Sequence, residues 1–335
     1  MKVLVTGGAG FIGSHLVRRL VVENEHEVIN LDALTYSGNP ANVQDLEGHP
    51  RYTFHQGDIC DQTVVTALLR DHRIEGVINC AAESHVDRSI LNPKTCIQTN
   101  VVGTAVLLES SRQAGVRRFL QVSTDEVYGN VPVGFSTEEA PLAPGSPYAA
   151  SKAAGDLLAQ SYWTTFRFPV MITRGCNGYG THQYPEKLIP LFVTNAIDDQ
   201  PLPLYGDGRH RRDWLSVQDH CAAIAYVFER GEPGHIYNVG GGNEQENLAI
   251  AEQVLALLGK PRTLLRFVED RPGHDRRYAM NCDRLHRLGW QPTVAFDEEL
   301  PATIRWYQKH ETWWRPIKTG EFQRYYRAQY GPRLT

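Results

Sequence analysis

The amino terminus of the chain carries a glycine-rich turn, and this feature constrains the fold most. Residues 3–6 (VLVT) form a short apolar run, residues 7–13 (GGAGFIG) form the turn, and an amphipathic run continues to Val22. Strand, glycine turn and helix in this order form the first unit of a dinucleotide-binding sheet, because the glycines allow close approach to a pyrophosphate and the helix amino terminus favours its charge. The context of strand and helix makes this reading stronger than a glycine motif alone.

An acidic residue at the end of the second predicted strand indicates which dinucleotide is bound. The apolar run 27–31 ends at Asp32, roughly 20 residues after the last glycine, where a carboxylate accepts a hydrogen bond from a ribose 2′-hydroxyl and repels a 2′-phosphate. No arginine follows nearby. The sequence therefore predicts NAD rather than NADP, held by a first set of candidates: Gly7, Gly10, Phe11, Ile12, Gly13, Asp32, Ala33, Leu34 and Thr35.

Strands and helices alternate along the first half of the chain. Apolar runs at 52–56, 76–80, 118–122 and 170–174 are separated by helical runs at 61–72, 95–114 and 147–164. This alternation predicts an α/β fold with a doubly wound parallel sheet of the Rossmann type. The ends of these strands add cofactor candidates, although each by itself could equally be ordinary turn chemistry: Asp58, Ile59, Ala81, Ala82, Glu83 and Ser84. Thr99, Tyr148 and Lys152 complete the set of predicted cofactor residues.

A second, smaller α/β lobe is predicted after Arg174, where the alternation loosens. The segment 213–239 again has the pattern of a helix and a strand that return to the sheet. We therefore expect residues 1–174 and about 213–239 to form the NAD-binding domain. Residues of about 175–212 and 240–335 are expected to form the substrate-binding lobe.

Candidate catalytic residues lie between positions 122 and 152. Tyr148 and Lys152 are one helical turn apart and share a face, and a neighbouring ammonium group lowers the pKa of a phenol. Thr124, Asp125 and Glu126 follow a buried strand, at the edge of a parallel sheet where ligands bind. An isolated acidic pair more commonly caps a helix or lies in a turn, and it is the surrounding pattern that favours a catalytic site.

Composition excludes several other classes of protein. The 34 basic and 38 acidic residues give a net charge of −4, which offers no attraction for nucleic acid or an acidic membrane, so an anionic ligand must be held by local groups. The six cysteines have no paired spacing, which favours reduced thiols and a cytoplasmic location. The sequence contains no long apolar stretch free of charged residues, so no membrane span is predicted. The spacing of the 13 histidines predicts no metal site.

Several motifs together carry a family resemblance. They are residues 81–89 (AAESHVDRS), 124–129 (TDEVYG), the pair Tyr148 and Lys152, and residues 185–190 (PEKLIP), 212–214 (RDW) and 270–275 (DRPGHD). With these motifs the chain resembles the extended short-chain dehydrogenase/reductases and, among them, the dTDP-glucose 4,6-dehydratase family, from Gly7 to about Tyr330. The tyrosine and lysine pair is common to the superfamily, whereas 124–126 and 270–275 are more specific to the dehydratases.

The resemblance implies a reaction and a role for each catalytic candidate. The expected reaction is the NAD-dependent dehydration of dTDP-glucose to dTDP-4-keto-6-deoxyglucose, by oxidation at C4, loss of water across C5 and C6, and return of hydride to C6. Tyr148, assisted by Lys152, would take the C4 hydroxyl proton, and Thr124 would donate to the C4 oxygen. Glu126 would remove the C5 proton, and Asp125 would protonate the departing C6 hydroxyl.

The resemblance also implies a substrate site and a homodimer. Helices near 95–114 and 147–164 would form the dimer contact, and the aromatic tail from Trp313 to Tyr330 is expected to dock on the second lobe rather than bind ligand. The residues implied to hold the nucleotide sugar are Ser84, Asn177, Lys187, Leu188, Pro203, Leu204, Tyr205, Arg212, Asn247, Arg271 and His274. The chain departs from the family at Gly178, because the family has a second asparagine there that contacts the cofactor.

Two other functions remain open from the sequence. A nucleotide-sugar 4-epimerase on the same fold needs the tyrosine and NAD but neither acid, so Asp125 and Glu126 discriminate against it. An NAD-binding scaffold without catalysis is disfavoured by the same two acids together with Tyr148 and Lys152. The sequence does not decide between thymine and uracil as the base of the nucleotide.

Overall fold

A seven-stranded parallel sheet forms the centre of the molecule in a computed structural model, which describes residues 1–334. The strands of the chain are β1 (Lys2–Thr6), β2 (Glu27–Asp32), β3 (Tyr52–Gln56), β4 (Gly76–Asn79), β5 (Arg118–Thr124), β6 (Val170–Gly175), β7 (Asn177–Tyr179), β8 (Leu202–Tyr205), β9 (Arg211–Ser216), β10 (Ile236–Val239), β11 (Glu244–Glu246) and β12 (Leu265–Val268). The central sheet has the order β10-β6-β5-β4-β1-β2-β3, with all pairs parallel. The predicted doubly wound parallel sheet is confirmed.

Helices connect and cover these strands. They are α1 (Phe11–Val22), α2 (Gln62–Asp71), α3 (Val86–Leu91), α4 (Pro93–Cys96), α5 (Thr104–Gln113), α6 (Pro147–Phe166), α7 (Leu188–Ile197), α8 (Val217–Arg230), α9 (Asn247–Leu258), α10 (Asp283–Leu288), α11 (Phe296–Lys309), α12 (Glu311–Ile317) and α13 (Gly320–Leu334). A π-helical segment, Ile97–Gly103, joins α4 to α5, and a 3₁₀ turn, Asp125–Tyr128, follows β5. No helix among residues 1–334 is long and apolar enough to cross a membrane.

The central strands are buried on both faces, which explains their continuous apolar sequences. Every residue of β4 and β6 is buried, as parallel strands covered by helices require. Because all seven strands run in one direction, their carboxyl ends meet at one edge. The strand order reverses between β1 and β4, and such a reversal opens a crevice for ligands at that edge.

Helix α6 presents the tyrosine and lysine pair to the sheet. Ser146 caps its amino terminus by accepting a hydrogen bond from the N–H of Ala149, and Pro147 occupies the first turn, where a missing N–H costs nothing. Tyr148 and Lys152 are both buried on this helix. The ammonium of Lys152 donates to the carbonyl of Val122 in β5, 2.7 Å away, which fixes the helix against the strand.

The second lobe has its own apolar core beneath two small sheets. One small sheet has the order β11-β9-β7 and the other pairs β12 with β8. Side chains of α7, α9 and α11 fill the core together with Trp314, Phe322 and Tyr330 of the aromatic tail. Between the segments of this lobe, α8 packs on α1, and β10 pairs with β6 of the central sheet.

Candidate active site

The glycine turn forms a cradle that side chains would fill. Gly7 has a φ of +71°, and a Cβ added to it would lie 2.8 Å from backbone atoms of Ala81. A Cβ on Gly13 would lie 2.1 Å from the carbonyl oxygen of Gly7. Both positions therefore need glycine, and the amino terminus of α1 is left facing a narrow space suited to a pyrophosphate.

Asp32 is fixed at the end of β2 by the backbone around it. Its Oδ2 accepts from the N–H of Ala9 and its Oδ1 accepts from the N–H of Leu34, each at 2.8 Å. Burial raises the pKa of Asp32, and the two hydrogen bonds act in the opposite direction. Each carboxylate oxygen keeps a further lone pair, so Asp32 fits the hydroxyl groups of a ribose.

The cleft above this turn contains most of the predicted cofactor residues. The predicted residues that line it are Gly7, Gly10, Phe11, Ile12, Gly13, Asp32, Ala33, Thr35, Asp58, Ile59, Ala81, Ala82 and Thr99. Leu34 does not line the cleft, and it adopts a left-handed φ of 51°. Tyr148 and Lys152 lie outside this lining. Glu83 and Ser84 also line the cleft, as the sequence predicts for the end of this strand, and the lining residues that sequence reasoning missed include Ser37, Gly38, Gly57 and Cys80.

The environment of Tyr148 differs from the sequence prediction. Burial raises the pKa of Tyr148 well above the usual value for a phenol, and the carboxylate of Glu126 raises it further, whereas a hydrogen bond with Thr124 acts in the opposite direction. The ammonium of Lys152 donates to the carbonyl of Val122. In the protein alone the pKa of Tyr148 therefore lies above its usual value, whereas the sequence predicts a lowered one. A positive charge on a bound cofactor would favour the phenolate.

Two carboxyl side chains, Asp125 and Glu126, follow Thr124 at the end of β5. The hydroxyl of Thr124 donates to Oδ1 of Asp125 at 3.1 Å and accepts from the N–H of Glu126 at 3.3 Å. Burial raises the pKa of Asp125 to about 8, and the neighbouring Glu126 contributes in the same direction. Asp125 is thus protonated at neutral pH, as a proton donor must be.

A second pocket lies between the central sheet and the second lobe. The predicted substrate residues that line it are Asn177, Lys187, Leu188, Pro203, Leu204, Tyr205, Arg212, Asn247, Arg271 and His274, and Glu126 joins them. Ser84 lies instead in the cofactor cleft, and its carbonyl accepts a hydrogen bond from the ammonium of Lys187. Sequence reasoning missed other lining residues: His85, Val86, Asp87, Glu186, Leu191, Phe192, Trp214, Tyr278 and Tyr330.

Several residues that line the second pocket carry a buried polar atom without a protein partner. Among residues 1–334, these buried atoms include Oδ1 of Asn177, Oδ1 of Asn247, Nε1 of Trp214 and Nε of Arg271. Leaving a buried polar group unpaired costs about 1–3 kcal/mol, so their concentration in one pocket indicates a polar ligand that completes their hydrogen bonds.

Two arginines supply the positive charge of the second pocket. Arg271 donates from Nη1 to Oδ1 of Asp87 at 3.0 Å, and its Nε is left unpaired. Arg212 is buried, with its guanidinium 4.2 Å above the ring of Tyr278 and a hydrogen bond to the carbonyl of Asp275. Both forks remain suited to a diphosphate, which an acidic protein can hold only through such local charge.

Tyr278 extends the acid and base pair. Its hydroxyl lies 3.4 Å from Oε2 of Glu126 and 3.0 Å from Oδ2 of Asp275. The sequence signal that could have found Tyr278 is its position shortly after the motif 270–275, which already predicts a ligand-binding loop.

Tyr330 departs from the expectation for the aromatic tail. Its side chain packs in the core of the second lobe, as expected, but it also lines the substrate pocket. The tail therefore docks on the second lobe and also contributes one lining residue, Tyr330, to this pocket.

Two histidines and an aspartate meet beside the second pocket, although the sequence spacing gave no sign of them. His210 and His274 stack with ring centroids 3.7 Å apart, and each contacts one carboxylate oxygen of Asp270, at 3.2 and 2.6 Å. The arrangement has the composition of a metal-ligand group. Burial and the nearby Arg271 and Arg212 lower the pKa of His274, and the same positive charges oppose the binding of a cation.

Gly178 leaves open space beside the cofactor cleft. A Cβ added there would meet Phe11 at 3.5 Å and Nδ1 of His220 at 3.6 Å, which is ordinary contact. Both ring nitrogens of the buried His220 lack partners. The position therefore has room for a side chain, and a polar one could bond to His220.

Comparisons with known proteins agree with this geometry. The family model for GDP-mannose 4,6 dehydratase matches residues 4–303. A dTDP-glucose 4,6-dehydratase of Streptomyces niveus is 47% identical, over 95% of this chain and 96% of the relative. The low-salt glycan biosynthesis protein Agl12 of Haloferax volcanii is also 47% identical, over 92% of this chain and 98% of the relative. Both relatives are matched over nearly their whole length.

Solved structures show the same relationship. The dTDP-glucose 4,6-dehydratase DesIV of Streptomyces venezuelae, solved with NAD and dTDP bound, is 48% identical with a TM-score of 0.93, over 95% of this chain and all of that chain. A UDP-glucose 4-epimerase of Thermus thermophilus, in complex with NAD, is 33% identical with a TM-score of 0.86, over 92% of this chain and 99% of that chain. The epimerase is thus the more distant of the two.

The parallel sheet, the glycine cradle with Asp32, and the buried tyrosine and lysine on one helix define an extended short-chain dehydrogenase/reductase. Within that class, the carboxyl pair at the end of β5 and the similarity over almost the whole chain are decisive. The chain belongs to the dTDP-glucose 4,6-dehydratase family.

Proposed function

We propose that the chain converts dTDP-glucose to dTDP-4-keto-6-deoxyglucose, a hydro-lyase reaction with an internal redox cycle. The observation that carries the proposal is the pairing of a buried Asp125, whose pKa is raised to about 8, with Glu126 in the wall of the substrate pocket. Elimination of water needs one group to remove a proton and another to donate one, and two adjacent carboxyls with different environments meet that need. An epimerase requires neither carboxyl.

NAD fits the cofactor cleft, with the glycine cradle for its pyrophosphate and Asp32 for a ribose. NAD held in this cleft would supply an acceptor for the C4 hydride and the donor that returns it to C6, and its nicotinamide would add a positive charge near the reacting sugar. Burial and Glu126 raise the pKa of Tyr148 and so disfavour its phenolate form. The positive charge of the nicotinamide would favour the phenolate and offset this effect. Tyr148 then takes the C4 hydroxyl proton, and the hydroxyl of Thr124 donates to the C4 oxygen.

The acid pair acts after the ketone has formed at C4. The ketone acidifies the proton at C5, and the Glu126 carboxylate removes it. Asp125 donates its proton to the departing C6 hydroxyl, so water leaves without a hydroxide ion. In the protein alone, Thr124 donates to Oδ1 of Asp125 and holds the carboxyl in one orientation. With the sugar bound, the same hydroxyl proton would instead go to the C4 oxygen. The hydroxyl of Tyr278 lies between Glu126 and Asp275, and when its single proton is given to Glu126 it orients the base.

The second pocket would hold the nucleoside diphosphate. Arg212 and Arg271 face it, and the unpaired Nε of Arg271 supplies a donor for a phosphate oxygen. Asn177 and Asn247 present unpaired carbonyl oxygens that can accept from sugar or base donors. The division of labour follows from this placement: the central-sheet domain, 1–174 with about 213–239, would hold NAD, and the remaining lobe would hold the nucleotide.

The protein is proposed to form a homodimer through one side of the central sheet. Helix α6 packs against α3, α5 and the π-helical segment, so the outer surfaces of these elements form one face. Exposed apolar side chains project from that face, among them Leu91, Ile97, Val102, Leu157 and Phe166. A monomer rarely exposes so many large apolar groups together, and a second copy would cover them.

A cytoplasmic location is part of the proposal, supported by the chemistry of the thiols. All six cysteines are free: Cys60, Cys80, Cys96, Cys176, Cys221 and Cys282. Burial raises the pKa of Cys80 to about 12, which keeps this thiol beside the cofactor cleft protonated. Free thiols fit a reducing compartment.

The reaction is tested with dTDP-glucose that carries deuterium at C4. The intact enzyme is expected to deliver the label to C6 of the same sugar with loss of one water, measured by mass spectrometry and by NMR of the product. Label returned to C4, with no keto product, would establish the epimerase reaction instead. Tightly bound NAD with no turnover of any nucleotide sugar would favour the scaffold.

A further inference from the structure

Arg174 lies at the centre of a buried hydrogen-bond network behind the catalytic residues. From β6, its Nε donates to Oδ2 of Asp156 at 2.9 Å, and its Nη1 donates to the hydroxyl of Tyr128 at 2.8 Å. Arg174 is 1% exposed and Asp156 is fully buried. One side chain therefore joins α6, which carries Asp156, to the 3₁₀ turn that ends at Tyr128.

Asp156 connects this network to Lys152, one of the two residues proposed to act in the oxidation step. It lies one turn after Lys152 on α6, and both side chains are buried. Burial lowers the pKa of Lys152, and the charge of Asp156 is the largest influence in the opposite direction. Lys152 has a carbonyl partner, Val122, but no carboxylate bonded to it directly. The charge of Asp156 is therefore what supports a protonated lysine in this apolar surrounding.

Tyr128 connects the network to the turn that carries Asp125 and Glu126, the residues proposed to act in the dehydration step. It is the last residue of the turn Asp125–Tyr128, whose first two residues are the proposed acid and base. Its hydroxyl accepts from Arg174 and donates to Oδ1 of Asn238 in β10 at 2.7 Å. The guanidinium of Arg174 also lies 4.8 Å over the Tyr128 ring. These contacts fix the far end of the turn relative to β6 and β10.

We propose that Arg174 is a positioning residue that sets the geometry between the two catalytic pairs, Tyr148 with Lys152 and Asp125 with Glu126. The proposal rests on the function given above, because only a reaction in which one bound sugar is first oxidised and then dehydrated needs both pairs in a fixed relation. A planar guanidinium can bond to Asp156 and Tyr128 in two directions at once, which an ammonium cannot reproduce. A buried ion pair adds little stability compared with apolar residues, so positioning is the role that this pair fits best.

Two variants separate the two arms of the network. Tyr128→Phe removes the bond to the turn and keeps the ring, and Asp156→Asn keeps the shape and removes the charge beside Lys152. Each NAD-loaded enzyme is mixed in excess with dTDP-glucose, and the absorbance of NADH and the amount of keto product are followed through one turnover. For Tyr128→Phe, we expect normal NADH formation and a decay of NADH to product that is slowed about tenfold to a hundredfold, since small displacements of catalytic groups cost this much.

Asp156→Asn is expected to give the opposite split. NADH formation slows, and its alkaline limit moves to lower pH, because Lys152 loses the charge that favours its protonated form. Arg174→Lys should impair both steps, since an ammonium cannot hold both partners. The matched control is Tyr226→Phe, which removes a hydroxyl bond to the Leu288 carbonyl far from the site and should leave both steps unchanged.

The outcomes distinguish this inference from the function on which it rests. If the unaltered enzyme forms no keto product, the proposed function fails. If it turns over, but Tyr128→Phe and Asp156→Asn slow both steps equally and the alkaline limit does not move, Arg174 is only structural and the inference fails. Should Asp156→Asn not fold, Tyr128→Phe decides alone: slowed NADH decay after normal NADH formation supports the inference, and equal slowing overturns it.

Discussion

The hydroxyl of Tyr278 lies 3.4 Å from Oε2 of Glu126, so a neutral donor from the second lobe contacts the proposed base at the end of β5. The guanidinium of Arg212 lies over the ring of the same tyrosine. One side chain thus contacts both the carboxylate proposed to act on C5 and the arginine proposed to hold the diphosphate. This contact connects substrate binding with the orientation of the base.

Tyr278→Phe is expected to slow elimination modestly. The ring and its contact with Arg212 remain, while one hydrogen bond to Glu126 is lost, which is worth about 1 kcal/mol or roughly fivefold in rate. Turnover should fall by this factor while NADH still forms at the normal rate in a single turnover. A failure to form NADH would mean that Tyr278 acts in sugar binding or oxidation instead.

Glu126→Gln should separate oxidation from dehydration. The amide cannot take the C5 proton, so NADH should accumulate on mixing with dTDP-glucose while release of water falls by at least about 10²-fold. The measurement is NADH absorbance together with the mass of the sugar product. Tyr148→Phe provides the contrast, because it removes the base for the first step and should abolish the NADH signal as well. Equal NADH signals in the two variants would contradict the assignment.

Asp125→Asn should make the protein more stable and less active. Burial raises the pKa of Asp125 to about 8. A carboxyl with a raised pKa makes its full contribution to stability below its unfolded pKa of ~4, and this contribution is lost as the pH rises towards the folded pKa. Asparagine does not ionise, so the variant does not lose stability in this way as the pH rises. The thermal midpoint of the variant should therefore exceed that of the native protein increasingly between pH ~4 and ~8, by an amount that corresponds to a few kcal/mol at most.

The activity of the same variant should fall because the proton donor is absent. A loss near 10²-fold, the low end for a general acid, is expected, since water can partly substitute. Native activity should decline above pH ~8 as Asp125 ionises. A midpoint difference that stays constant with pH would show that Asp125 is ionised in the folded protein.

The central sheet could be predicted from the sequence because each of its elements carries a local signal. The turn from Gly7 to Gly13 and the acid Asp32 identify a dinucleotide cleft by spacing alone, and buried parallel strands read as apolar runs. Thr124, Asp125 and Glu126 directly follow such an apolar run, so the sequence places them at the edge of the sheet where ligands bind. These features depend on neighbours within a single segment of the chain.

Other features depend on contacts between distant segments. Periodicity places Lys152 on the same helix face as Tyr148, but it does not show that Val122 holds the ammonium or that Glu126 raises the pKa of the phenol. His210 and His274 stack only because the two loops that carry them meet beside Asp270. No spacing rule finds such a pair, since the residues come together only in the tertiary fold.

Gly178→Asn should slow the release of NAD without a change of product. The space beside Phe11, a residue that lines the cofactor cleft, can receive an amide. One net hydrogen bond from this amide to the cofactor would gain about 1 kcal/mol, or roughly fivefold in dissociation rate. Release is measured by trapping free NAD after dilution. Gly178→Ala is the control, because it fills the space without a polar group, and an equal effect of both variants would show that packing alone is responsible.

Arg271→Lys should weaken nucleotide binding more than it affects the chemistry. The guanidinium bonds to Asp87 through one nitrogen and has a second donor, Nε, unpaired in the pocket, whereas an ammonium cannot serve both directions. Loss of one charge-assisted hydrogen bond is worth about 1.5–3 kcal/mol, so KM for dTDP-glucose should rise roughly tenfold to a hundredfold.

Arg276→Lys is the matched control for this substitution. Arg276 is paired with Asp207 outside the pocket, at 2.6 Å, so its replacement should leave KM unchanged. With Arg271→Lys at saturating substrate, NADH should still form and decay at close to the normal rates, because Arg271 is not proposed to contact the reacting carbons. If kcat falls while KM stays constant, Arg271 instead acts on the transition state, through the charge it places near Glu126.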